Sequence, residues 1–197
     1  MHRENPSNPS IPVLTSILKK AWQGYDSSKT IRDIEDISAM VSTNRVFKIT
    51  FDDDDMVIAK LSHFGKFEYF KEDHRIIHSL CNNLLYPFEN VLSKSLLKNN
   101  RVYIYHHKQG KMDAWVVFYN PTRIDQRMPR RLDENHIRKL GRQIGKFHKA
   151  CSRASNVLPK SIKTLRTDIY ALQQQLENNE KQFGSAMQAD FLKYHCD

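Results

Sequence analysis

Lys60 is the one charge in the apolar run Met56 to Leu61, and two acids, Glu72 and Asp73, lie inside the next helical stretch. These residue types suit a phosphate grip. An ammonium carried on a strand and braced by a carboxylate from a helix is held where it meets the phosphates of a nucleotide. Each residue also has a plainer reading. A lysine near a strand end reaches solvent with its stem along apolar surface. Adjacent acids on a helix mark an exposed face.

The elements that must position these residues are legible in outline. Val46 to Phe51 alternates apolar and polar positions, and Met56 to Leu61 is rich in β-branched residues; both read as strands. Asp52 to Asp55 separates them and reads as a solvated hairpin turn, since the spacing and glycine of a calcium loop are absent. Ile37 to Val41 is expected to be the strand before this hairpin. From Phe67 to Leu80 the apolar positions Phe70, Ile76, Ile77 and Leu80 form an incomplete helical stripe with Glu72 near its middle. Further strands are expected over Val91 to Leu97, Val102 to Tyr105 and Ala114 to Tyr119, with turns at Asn99-Asn100 and Gln109-Gly110. The expected class is α+β: an antiparallel sheet of five to six strands with one helix packed across it, then helices.

Three segments together resemble a known family: Asn44-Arg45-Val46-Phe47, Val57-Ile58-Ala59-Lys60 and Lys71-Glu72-Asp73-His74. They look like the N-terminal lobe of the aminoglycoside phosphotransferase and choline kinase group, a protein-kinase-like fold. The nearest members are bacterial kinases of the stress-response type, whose helix carries a similar acid-acid-His run. Lys139-Leu140-Gly141-Arg142-Gln143-Ile144-Gly145-Lys146-Phe147-His148 is similar to a later helix of the same family. The matches run from Ile31 to Arg153.

The resemblance implies transfer of the ATP γ-phosphate, with Mg²⁺, to a hydroxyl of a small alcohol, an antibiotic or a protein Ser/Thr. Lys60 would hold phosphates and Glu72 would orient it, with Asp73 as the neighbouring choice. Ser42, Thr43 and Asn44 would form the turn over the phosphates, although kinase loops usually use glycine there. Backbone groups of Val117, Phe118, Tyr119 and Asn120 would receive adenine at the hinge; these residues read equally as core. The family's His-Gly-Asp loop, with its asparagine five residues on, is not intact here. The tail Tyr194-His195-Cys196-Asp197 is either a variant start of that loop, with Asp197 accepting the proton, or a coincidental run. The Mg²⁺ ligands are not among these residues, so no phosphate transfer is expected from the chain as given. Two other readings remain: a non-catalytic module that kept the nucleotide-binding lobe, and a basic nucleic-acid-binding domain.

Beyond Asn120-Pro121 the pattern turns helical. Asp133 is a candidate N-cap, and Ile137, Leu140, Ile144 and Phe147 recur at helical spacing. Gly141 and Gly145, four apart, suggest close packing against a neighbour. His148 reads as structural. Leu158-Pro159 opens a second helix, whose apolar positions from Ile162 to Phe183 suit a core helix or, through residues 159–183, a homodimer. The expected division is a tail and short amphipathic helix over 1–29, with the helix at Val13 to Trp22, then the lobe over 30–120 and an incomplete helical part over 121–197. The 197 residues carry a net charge of +9 and three scattered cysteines, without a leader-like or membrane-length apolar run, so a cytoplasmic location and no membrane partner are expected. The basic cluster from Arg123 to Arg153 has little aromatic interleaving, which disfavours nucleic acid and leaves acidic or phosphate-bearing partners or a solvated face.

Overall fold

The computed structural model describes residues 9–39, 44–110, 112–122, 129, 131–161, 166, 167, 169, 170 and 172–174. The chain divides after Lys160 into two units. The first is a mixed α+β unit built on a five-stranded antiparallel sheet. Its strands are β1 (Ile31–Asp36), β2 (Arg45–Phe51), β3 (Met56–Ser62), β6 (Ile104–Gln109) and β7 (Met112–Tyr119), in the order β1-β2-β3-β7-β6. A separate hairpin pairs β4 (Leu97–Lys98) with β5 (Arg101–Val102). Three helices accompany the strands: α1 (Ile11–Tyr25), α2 (Phe67–Asn83) and α3 (Glu134–Ala154). Of the second unit, the described residues 166, 167, 169, 170 and 172–174 are helical; residues 159–161, where the dimer helix was expected to open, are not helical, and the rest of that expected helix lies outside the described residues.

Strand alternation sorts the sheet into two faces. Phe47, Ile49, Phe51, Val57, Ala59, Leu61, Ala114, Val116 and Phe118 point one way and are buried with Leu14, Ile17, Leu18, Ala21 and Trp22 of α1. Helix α1 therefore belongs to the core and is not an appendage of the tail. Its Trp22 ring lies 4.5 Å from Phe51 and edge-on to Phe118 at 5.3 Å. The other face carries Lys60, Trp115, Val117 and Tyr119. There Phe67 and Phe70 of α2 pack with Trp115 and Val117.

Several expectations are corrected. The first strand lies at Ile31–Asp36, ahead of the expected Ile37 to Val41. It is an edge strand that keeps only Ile31 and Ile34 against the core; cross-strand ion pairs, Glu35 with Lys48 and Asp36 with Arg45, line its exposed side. Val91 to Leu96 is not a strand, and only Leu97 at the end of the expected run enters one, β4. Single backbone bonds tie the run to β7 instead, from Leu96 N–H to the Phe118 carbonyl and from Asn120 N–H to the Lys94 carbonyl. Among the described residues Gly141 and Gly145 meet no close neighbour, since a Cβ at either would find nothing within 4 Å.

Other expectations hold. The Asp52 to Asp55 turn is solvated, with Asp54 at φ 66°; Lys29 pairs with Asp53 and Asp55, and Arg32 with Asp54. Asn99 and Asn100 take φ 53° and 59°, the left-handed pair of a tight hairpin turn. Asp133 caps α3 by accepting the His136 N–H at 2.8 Å.

Gly24, in the last turn of α1, shows how tightly that helix sits on the sheet. A Cβ there would lie 2.6 Å from the Tyr103 hydroxyl, which donates to the Ala21 carbonyl at 3.0 Å. The Tyr103 ring is stacked on Phe118 and cannot swing aside freely. Gly24→Ala is expected to lower stability by about 1–2 kcal/mol despite alanine's better helix propensity. In a Tyr103→Phe background, which lacks the hydroxyl, the same change should be neutral or stabilising. Urea unfolding of the four proteins of this cycle measures it, and a stabilising effect in the parent chain would refute the clash.

Candidate functional site

Lys60 sits on β3 in the middle of the sheet, opposite Val46 of β2 and Val117 of β7. Alternation sends its side chain to the α2 face, where it is half-buried. Its ammonium lies 5.8 Å from the centre of the Phe70 ring. Loss of water pulls its pKa below the usual lysine value, opposed by the negative charge of Asp73. The acid acting on Lys60 is thus Asp73, one residue past the one the spacing favours. Asp73 is exposed, whereas Glu72 is half-buried and has interactions of its own.

His74 was the member of the acid-acid-His run with no assigned role. Its side chain is fully buried and stacked on Phe70 with ring centres 4.0 Å apart. The Nδ1 lies 2.7 Å from the Phe70 carbonyl, so Nδ1 carries the proton and donates. That leaves Nε2 as a bare acceptor, with no hydrogen-bond partner among the described residues. Burial, with a smaller contribution from the Lys60 charge, pushes the imidazole down to about 4. The signal was available: His74 fills the gap in the stripe Phe70, Ile77 and Cys81 at helical spacing.

Beside Lys60 lies a pocket of about 250 Å³ lined by Val46, Ile58, Lys60, Ile77, Leu92, Ser93 and Tyr119. This volume is under the roughly 300–1,000 Å³ of sites for drug-sized ligands and suits one flat ring. Its walls are apolar apart from the Ser93 hydroxyl, the Tyr119 phenol and the ammonium. Burial raises the phenol of Tyr119 far above its ordinary value, so it stays protonated and able to donate.

Of the other sequence-derived residues, Ser42, Thr43 and Asp197 lie outside the described residues. Asn44 occupies the bend before β2. Val117 and Phe118 are fully buried, and Val117 is paired with Lys60 of β3 and Ile104 of β6. The Phe118 carbonyl and the Asn120 N–H are used by Leu96 and Lys94. These two backbone groups are therefore engaged within the fold, and from this stretch the Tyr119 side chain is what meets the pocket. His148 is exposed on α3.

Among the described residues no group of three or more His, Cys, Asp or Glu side chains could hold a metal ion. No described helix is long and apolar enough to cross a membrane. Comparison with protein-family models, with curated proteins and with solved structures returned no match.

Proposed function

We propose that the first unit is the nucleotide-gripping lobe of a kinase-like phosphotransferase. The observation carrying this reading is Lys60, a partly desolvated ammonium on a central strand. It is held near an acid from the packed helix and forms one wall of a ring-sized apolar pocket. In this reading a base enters between Val46, Ile58 and Leu92, beside the Tyr119 hydroxyl and the Ser93 hydroxyl, which is shared with that of Thr122. The phosphates run toward Lys60, whose position the Asp73 charge and the Phe70 ring define. Lys60 contributes charge and orientation, because phosphoryl transfer depends on positioning and charge neutralisation more than on covalent help from the protein.

Mg²⁺ would neutralise the triphosphate in the parent reaction. The described residues gather no metal-binding group of three acids, histidines or cysteines, and the sequence has no intact catalytic loop. The residues named here account for nucleotide contact from one side, and the transfer step is assigned to none of them. A non-catalytic binding module would use this same site and differ only in lacking the transfer step.

The test is a lysine-acylating ATP probe, an acyl phosphate of ATP, with peptide mapping of the product. A lowered pKa keeps more of the amine neutral and reactive. Lys60 is expected to be acylated first among the lysines, with protection by excess ATP, and Asp73→Asn is expected to alter its labelling rate severalfold. Uniform labelling of surface lysines that ATP does not suppress would end the nucleotide reading. Steady ATP turnover abolished by Lys60→Ala would show that a complete catalytic site exists.

A further inference from the structure

A second cavity lies on the flank of α2 away from Asp73. It measures about 680 Å³ and is lined by Phe67, Lys71, Arg75 and His78 of α2, by the β4–β5 hairpin and by Ile104. The α2 residues recur at i, i+4, i+8 and i+11, so they form one stripe along the helix. That stripe is about 16 Å long at ~1.5 Å per residue. Across the cavity, the left-handed Asn99-Asn100 turn sets Arg101 on the facing wall. The floor is apolar, made of Phe67, Val102 and Ile104.

The charges are one-sided. Lys71, Arg75 and Arg101 line the cavity, and no acid does among the described residues. All three cations are exposed, and none makes an ion pair among the described residues. Three unneutralised cations above an apolar floor leave a strong local positive potential.

We propose that this groove docks an extended acidic peptide segment of a partner protein, with apolar side chains on the floor and carboxylates between the two basic walls. Its length suits about five extended residues at ~3.3 Å each. A lone phosphate would meet the cations and leave Phe67, Val102 and Ile104 unused. A nucleic-acid strand needs aromatic faces for its bases; among the described lining residues Phe67 is the one large aromatic, and it is already stacked on His106 at 4.1 Å. The proposal does not depend on nucleotide binding at Lys60, and the acylation test can fail without touching it.

The experiment is fluorescence anisotropy with the full chain and three labelled peptides. The first alternates aspartate and glutamate with leucine and phenylalanine, the second has glutamine for every acid, and the third has alanine for every apolar residue. The first is expected to bind in the micromolar range, with the other two at least tenfold weaker. Arg75→Glu and Arg101→Glu should each weaken the first peptide at least tenfold. Lys19→Glu, the same charge change on the exposed side of α1, should leave it within twofold. Circular dichroism melts check that each variant is folded, and Arg75→Gln and Arg101→Gln replace any that is not. Absence of binding, or equal loss with Lys19→Glu, would overturn the proposal. So would equal binding of the alanine peptide, or a mixed-sequence oligonucleotide that binds tighter and responds to Arg75 and Arg101.

Discussion

Trp22→Ala is expected to remove about 3–5 kcal/mol of stability, the usual cost of deleting a buried aromatic side chain. Trp22 is 3% exposed and contacts the rings of Tyr25, Phe51 and Phe118. It joins α1 to both β2 and β7. The cavity cannot close easily, because α1 is also held by Leu14, Ile17 and Leu18. Against a typical domain stability of about 5–15 kcal/mol, the loss is a large fraction. With a urea slope of about 2 kcal/mol per molar, the midpoint should fall by roughly 2 M. Trp22→Phe, which keeps most of the ring volume, should recover more than half of that. A shift below about 0.5 M for the alanine variant would mean that α1 is only loosely attached to the sheet.

The second large effect is acid sensitivity from His74. Its imidazole is held down to about 4 in the fold, against about 6.5 in an unfolded chain. Below pH 6.5 the unfolded chain takes up a proton that the folded chain refuses. The stability from this residue is therefore complete above pH 6.5, falls as pH drops, and is gone by about pH 4. The loss across that window is about 3 kcal/mol. The Phe70 and Tyr119 rings flank the imidazole; the Lys60 charge opposes protonation, with burial the larger cause. His74→Leu removes the titration and the unpartnered Nε2 together. Its stability at pH 7 should be near or above that of the parent, and its decline toward pH 4.5 should be shallower. Urea unfolding at pH 7, 5.5 and 4.5 gives the comparison. Parallel curves for the two proteins would show that His74 is not shielded as described. Burial depresses His63 and His107 as well, so the difference between the proteins carries the result, not the parent curve alone.

The sequence made the central hairpin and the placement of Lys60 legible, because alternation along β2 and β3 is clean and one lysine interrupts it. The strand at Ile31–Asp36 was hidden because an edge strand can be mostly charged: its backbone pairs with β2, only Ile31 and Ile34 meet the core, and its acids reach across to Lys48 and Arg45. An amphipathic helix at Val13 to Trp22 was readable, and its packing partner was not. Periodicity shows that a face will be buried without saying against what. His74 was overlooked for a related reason: the apolar stripe was traced through apolar types, and a neutral histidine in the core does not look apolar. Asp73 replaced Glu72 because helical rotation shifts by about 100° per residue, which a motif match does not resolve. Gly141 and Gly145 misled because spacing implied a close neighbour, and the described residues hold none.

The attachment of α1 to the sheet also bears on how the chain is made. Helix α1 is synthesised ahead of the sheet it covers, and β7, the strand that carries Phe118, follows roughly ninety residues later, a wait of about 5–20 s at ordinary translation rates. Throughout that interval Leu14, Ile17, Leu18 and Trp22 have no finished surface to cover. An isolated helix of this length is marginal in water, so the segment emerges as a fluctuating apolar stretch, open to holdase chaperones and to other nascent chains. Completion of β7 ends that exposure.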